Sequence, residues 1–153
     1  MGGYVAMYLA RHYPRKIDKV ITLATKFKWD EIIAAKETAM LNAGKIEVKI
    51  PAFAGTLKKR HYPNDWKIVL HKTAEMLTAM GQKNPLQTED LKKIEHPVLI
   101  MLGDKDKMVS REETMEVYHQ LPNAQLSILT DTQHPIESVN IERLAFEIKA
   151  FLK

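Results

Sequence analysis

Pro97-Val98-Leu99-Ile100-Met101-Leu102-Gly103-Asp104-Lys105-Asp106 decides how this chain folds. Side chains along a strand alternate between its two faces. The unbroken aliphatic run from Val98 to Leu102 therefore puts hydrocarbon on both faces, the signature of a strand inside a parallel sheet. Two more short β-rich runs occur, Lys19 to Thr25 and Ala124 to Thr130, and the first is nearly as continuous. Helical patterns surround them. Gly2 to His12 reads as a short amphipathic helix stopped by Pro14. Arg111 to Gln120 follows Ser110, a natural N-cap, with Glu112 and Glu113 in its first turn. Ser138 to Leu152 carries Val139, Ile141, Leu144, Ile148 and Leu152 on one stripe. Helix, strand, long insert, strand, helix, strand, helix is the alternation of an α/β fold.

The insert between the first two strands is far longer than a crossover needs. About 70 residues separate Thr25 from Pro97, against about 10 to 12 for the connection itself. The excess carries its own helices. Trp29 to Asn42 has Asp30 and Glu31 near its start and Gly44 just past its end. Asn64 to Met80 has Asn64 as a candidate N-cap and Gly81 as a stop. Thr88 to Ile94 reads as a shorter helix leading into the second strand. Three segments follow: 1–25 as the first helix and strand, 26–95 as a helical insert with its connecting helix, and 96–153 as the C-terminal α/β core.

Composition narrows the function classes. At 153 residues the chain can bury a real core, and 45% hydrophobic with 27% charged residues is ordinary for a globular domain. No apolar run approaches the roughly 18 residues of a membrane span. The N-terminus lacks a basic start with a long apolar core, so no leader peptide is expected. Zero cysteines exclude disulfides and thiolate metal sites and fit a reducing compartment; a cytoplasmic location is expected. The net charge of +4 is spread among acidic residues, so neither nucleic acid nor membrane is an expected partner. His12, His61, His71, His96 and His119 share no spacing that would clamp a metal. The basic run Lys58-Lys59-Arg60-His61 reads as a solvated loop. No cofactor or metal is expected.

Candidate chemistry gathers after the second and third strands. Open α/β sheets bind ligands at the carboxyl ends of their strands. Asp104 and Asp106 follow the second strand, and either could be a functional acid or simply a turn residue. His134, in Thr130-Asp131-Thr132-Gln133-His134-Pro135, follows the third. An acid after one strand and a histidine after the next lie side by side on one edge. There a carboxylate could orient the imidazole as a general base and acid. The serines offer no partner within the chain. Ser127 lies in a strand, and Ser110 and Ser138 read as helix N-caps.

Met1-Gly2-Gly3-Tyr4-Val5-Ala6-Met7-Tyr8-Leu9-Ala10-Arg11-His12-Tyr13-Pro14 resembles the helix after the nucleophile elbow of α/β-hydrolases. In that family a G-x-S-x-G-G turn joins a strand to this helix. The nucleophile would then stand one residue before Met1, and the Met1 backbone nitrogen would hold one oxyanion position. Gly103 to Val109 resembles the family's G-x-x-D-x-x-V/P segment, which implies that Asp106 is the triad acid. The loop with His134 corresponds to that of the catalytic histidine, although Gln133 replaces the glycine common before it and Pro135 follows. The insert resembles the helical cap over these active sites.

The resemblance spans the chain as the C-terminal half or slightly more of such a fold. It implies a partial α/β-hydrolase fold: three mostly parallel strands, flanking helices and an inserted cap. The expected function is an esterase-like hydrolase of small-molecule esters or related bonds, with the nucleophile absent from this chain. An incomplete reading frame, or a start assigned at an internal methionine, is the expected origin. The isolated chain is expected to be inactive and marginally stable, to self-associate through its exposed sheet edge, or to pair with a complementary fragment. Two other readings compete. One is a non-catalytic binding or assembly module derived from the fold. The other is an unrelated small three-stranded α/β domain in which Asp106 and His134 are incidental, and a large distance between them would sink the triad assignment.

Overall fold

The computed structural model describes residues 1–153. In chain order the elements are α1 (Gly2–His12), β1 (Val20–Leu23), α2 (Glu31–Ala39), α3 (Ala43–Lys49), α4 (Pro51–His61), α5 (Trp66–Gln82), α6 (Thr88–Leu91), β2 (Val98–Gly103), α7 (Arg111–Gln120), β3 (Ala124–Leu129) and α8 (Ile141–Leu152). They divide into two compact units. One joins Met1–Lys28 to Leu86–Lys153, and the other is Trp29–Pro85. No helix is long and apolar enough to cross a membrane.

The first unit holds the sheet, in the order β1-β2-β3 with every pairing parallel. Val20 pairs with Val98 and Leu23 with Met101. Val98 pairs with Ala124 and Gly103 with Leu129. All six residues of β2 are buried, as its uninterrupted hydrocarbon requires. Its alternate residues face different helices. Leu99 and Met101 pack with Phe151, and Ile21, Leu23, Leu144 and Ile148 complete that cluster, so α8 covers one face. Thr22, level with Ile100, faces the opposite way and meets the start of α1. There a Cβ on Gly3 would lie 3.2 Å from Thr22 Cβ. The result is a layer of strands with a helix on each side.

Two polar contacts tie the start of this unit to the chain returning from the insert. Leu86 N–H donates to the Tyr4 hydroxyl at 2.9 Å. Arg11 Nε donates to Asp90 Oδ1 at 3.0 Å, while Gln87 N–H donates to Asp90 Oδ2 at 3.1 Å. The Gln87 bond, with Arg11 behind it, holds the Asp90 carboxyl below its usual range.

The second unit is entirely helical. Ile46, Ala54, Leu57, Trp66 and Leu70 form its core, with Leu41 and Ala43 against them. Three readings of the insert need correction. The segment 29–42 helix is shorter, ending at Ala39, and Gly44 lies inside α3 rather than past a helix end. Residues 43–61 form α3 and α4, and the basic run Lys58-Lys59-Arg60-His61, expected as a solvated loop, is the last turn of α4. Helix α5 is capped by Asp65, not Asn64, and runs through Gly81 to Gln82. A Cβ on Gly81 would lie 2.5 Å from Ala34 Cβ and 2.9 Å from Asp30 O. Gly81 is there so that α2 can lie against α5, and it does not terminate α5. In the first unit, Ser138 sits in a 3-10 turn, and Asn140 caps α8 instead by accepting from Arg143 N–H at 2.9 Å.

Tyr4 yields a pH prediction. Burial, the largest cause, pushes its hydroxyl up to about 12, and the Leu86 bond opposes the shift. An unfolded tyrosine titrates near 10, roughly. The folded state therefore keeps its proton longer, and the stability contributed below about pH 10 is lost as pH rises to about 12. Urea unfolding between pH 9 and pH 12, roughly, should show that decline, and Tyr4→Phe should flatten it. At neutral pH the same substitution should cost about 1 kcal/mol through the lost hydrogen bond.

Candidate active site

β2 ends at Gly103, and the chain there has no room for a side chain. A Cβ on Gly103 would lie 2.1 Å from Thr132 O. The glycine thus lets the loop after β3 close onto the end of β2. That closure is stitched by backbone bonds. Asp104 N–H donates to Leu129 O at 3.0 Å, and Lys105 N–H donates to Thr132 O at 3.0 Å. Thr132 N–H donates in turn to Asp104 Oδ1 at 3.0 Å. Lys105 Nζ pairs with Asp131, which adopts a left-handed φ of 56° tolerated by aspartate. Thr132 is buried, 3% exposed, and its hydroxyl donates to Thr130 O at 3.0 Å. The two loops are therefore one rigid assembly before any catalytic group is considered.

Within it the two aspartates have different work. The Asp104 carboxylate is bound to loop backbone. The Thr132 N–H, then that of Asp131, hold its carboxyl below the usual carboxylate range. Asp106 is turned inward, and its side chain has no exposure at all. Its Oδ1 accepts from Met108 N–H at 2.8 Å and Val109 N–H at 2.9 Å. Its Oδ2 lies 2.9 Å from His134 Nδ1. A carboxylate only accepts, so that imidazole nitrogen carries the proton. A buried carboxylate is tolerated when its lone pairs are filled this way. His134 is about one-third exposed (32%), and the neutral tautomer leaves Nε2 as a free acceptor.

Asp106, His134 and Met108 line a cleft of about 560 Å³, a size suited to a small molecule. Lys107 also lines it. The start of α1 stands at the same edge of the sheet. Met1 precedes the helix, and its carbonyl accepts from Val5 N–H at 3.1 Å. A Cβ on Gly3 would lie 2.1 Å from Thr25 Oγ1, just beyond the end of β1. So the structure brings Asp106 and His134 into contact, binds Asp104 into the turn, and sets Met1 at the head of the helix beside β1. Asp106 and His134 are not far apart, and their 2.9 Å contact counts against the reading in which the two are incidental. No cluster of three or more histidine and carboxylate side chains could hold a metal ion. Of the serines, Ser110 Oγ caps α7 by accepting from Glu113 N–H at 3.1 Å, and Ser127 is buried within β3.

One residue was not singled out by the sequence. Glu113, read only as a first-turn acid of α7, is buried and accepts from Phe27 N–H and Lys28 N–H. The bonds cross more than eighty residues of sequence, so no local pattern could have revealed them.

An α/β sheet with an acid and a histidine after successive strands defines a class, and comparison with known proteins gives it a name. The chain belongs to the α/β-hydrolases: the family model described as serine aminopeptidase, S33, matches residues 1–137. Its fold is similar to that of a thermophilic esterase from Thermogutta terrifontis, with a TM-score of 0.68 at 22% identity. That match covers 99% of this chain and 61% of the esterase chain. NosK from Streptomyces actuosus superposes with a TM-score of 0.76 at 15% identity, covering 98% of this chain and 64% of its own. An alpha/beta hydrolase fold protein from Chitinophaga pinensis gives 0.64 at 23% identity, covering 99% and 62%. The chain thus spans less than two thirds of each of these structures. No curated protein matches it.

Two outcomes test this geometry. Gly103→Ala should lower stability by about 1–3 kcal/mol in urea unfolding, because the strand end and the loop must part. Asp104 should contribute stability that is present above the usual carboxylate range and lost as pH falls through its depressed folded value. Asp104→Asn should therefore flatten the acid limb of the stability profile.

Proposed function

We propose that residues 1–153 carry the acid and the proton-transferring histidine of a hydrolase that cleaves esters, or related acyl bonds, in small molecules. One observation carries this reading: His134 Nδ1 lies 2.9 Å from the fully buried Asp106 carboxylate. The buried carboxylate keeps the proton on Nδ1 and leaves Nε2 ready to accept another. Nε2 takes a proton from the attacking hydroxyl and delivers it to the leaving alkoxide, then takes one from the water that cleaves the acyl intermediate and returns it to the hydroxyl. Asp106 stays ionised and stabilises the imidazolium formed between those steps. No cofactor enters the scheme.

The attacking group is supplied by chain outside these 153 residues, one position before Met1. Two observations support that proposal. Ser110 caps α7, Ser127 is buried in β3 and Ser138 ends a 3-10 turn rather than standing on a strand-to-helix elbow, while α1 begins at the edge where Asp106 and His134 meet. The Met1 N–H, as an amide in a longer chain, would then be one donor to the tetrahedral oxyanion. The protein acts in the cytoplasm.

The test is hydrolysis of short-chain aryl esters, alongside aminoacyl anilides, by the reading frame extended upstream of Met1. The extended chain should cleave the esters. His134→Ala should lower its kcat by at least about a hundredfold, and residues 1–153 alone should be inactive. Activity unchanged by His134→Ala would sink the assignment. Faster cleavage of the anilides would replace ester with amide chemistry. A stop codon directly upstream of Met1, preceded by a ribosome-binding site, would favour a non-catalytic binding module.

A second consequence concerns the sheet. β1 pairs only with β2, so its other edge has no strand beside it. An unpaired apolar strand edge is a template for association. Residues 1–153 by themselves should form dimers or larger species in sedimentation velocity. A monodisperse monomer that unfolds cooperatively would count against this.

A further inference from the structure

Glu113 is a buried carboxylate for which the proton relay above has no use. Its side chain is only 10% exposed. From the first turn of α7 it reaches the segment that leaves β1. Its Oε1 accepts from Phe27 N–H and from Lys28 N–H, each at 2.7 Å. Its Oε2 lies 3.7 Å from Lys26 Nζ, and that ammonium also donates to Met108 O at 3.3 Å. The two amide bonds, at 2.7 Å, have the length of charge-assisted ones. Helix capping does not account for them, since Ser110 already caps α7. A first-turn acid that merely answered the helix dipole would do so from the solvent.

The segment held by Glu113 lies between the two parts of the site. On one side it meets the start of α1. Gly3 rests against Thr25, and the Tyr4 and Phe27 ring centroids are 6.4 Å apart. On the other side, Lys26 reaches Met108, whose N–H is bound by Asp106. A continuous series of contacts therefore runs from the head of α1 through residues 25–28 to Glu113 and Met108. From there it reaches Asp106 and His134. Ala24, at the root of the segment, has a φ of 50°. A residue with a Cβ holds that conformation only where its surroundings impose it.

We propose that Glu113 is a positioning residue of the site. By gripping the Phe27 and Lys28 amides, and Lys26 beyond them, it sets the head of α1 at its working distance from the Asp106–His134 pair. The role rests on the function proposed above, because it matters only if a nucleophile acts at the head of α1. It gives α7 a second duty: Asp106 precedes this helix, and Glu113 reaches from its first turn to the other half of the site.

The test is NMR of the ¹⁵N-labelled chain, read at the His134 Nδ1 proton and at the amides of Gly2–Tyr4, Met108 and Val109. Glu113→Ala should move those amides and speed water exchange of the His134 proton by about tenfold through local opening. Glu113→Gln keeps an acceptor for both amides and should restore exchange to within about twofold of the parent. Shifts confined to residues 26–28 and α7, with the His134 proton unmoved, overturn the proposal. If Glu113→Ala does not fold, Lys26→Met replaces it. That variant should shift Met108, Val109 and the His134 proton in the same direction, and silence there also overturns the role. Asp106→Asn separates the two readings. Loss of the His134 proton signal in Asp106→Asn, with Glu113→Ala silent, removes only the positioning role. An unchanged signal in Asp106→Asn removes the acid–histidine pairing, and the positioning role with it.

Discussion

β2 has hydrocarbon on both faces and a parallel neighbour on each edge, so it meets solvent only at its ends. That constraint organises the first unit. Parallel neighbours cannot be joined by a tight turn, so each connection must leave the sheet and return through a helix. All three strands then point their carboxyl ends the same way. The loops that follow them share one edge, and polar side chains there escape the apolar layers. The site stands at this edge because nowhere else along β2 could a carboxylate be tolerated.

At that edge, the geometry depends on filling lone pairs before an imidazole is oriented. Asp106 is fully buried and ionisable, and two backbone N–H groups of its own loop satisfy one oxygen. Only the other oxygen is left for His134. Asp104, two residues earlier, is bound by the β3 loop and holds that loop near Gly103. The two carboxylates divide the labour, one fixing the loop and the other fixing the imidazole within it. Glu113 repeats the arrangement on the far side of Met108, where a buried carboxylate organises the backbone leaving β1.

The parts legible from sequence were those governed by local pattern. β2 was legible from its hydrocarbon run, and α1 and α7 from their periodicity and stops, because period and capping act within a few residues. That an aspartate of the β2 loop would stand beside His134 was also legible, since successive parallel strands place their loops together. The insert was read less well, for a physical reason. Gly81 looks like a helix stop, yet it serves the close approach of α2 to α5, and packing overrode propensity. The helices α3 and α4 are short and weakly patterned, and they are stabilised by a core shared with Trp66 and Leu70 of another helix, α5. Ser138 and Asn140 are both good caps, and the turn at Ile136–Ser138 chose between them.

The sequence by itself determined the class of fold, the direction in which the strands run, and the edge where the candidate site lies. Those properties follow from side-chain periodicity and from the length of the connections. Only the tertiary structure decided which aspartate turns inward, how Gly103 admits the loop carrying His134, and what Glu113 holds. Each of these is a contact between residues distant along the chain, formed in a water-poor setting where an unfilled lone pair is costly. That cost exists only once the chain has folded, so it left no mark in the local pattern of residues.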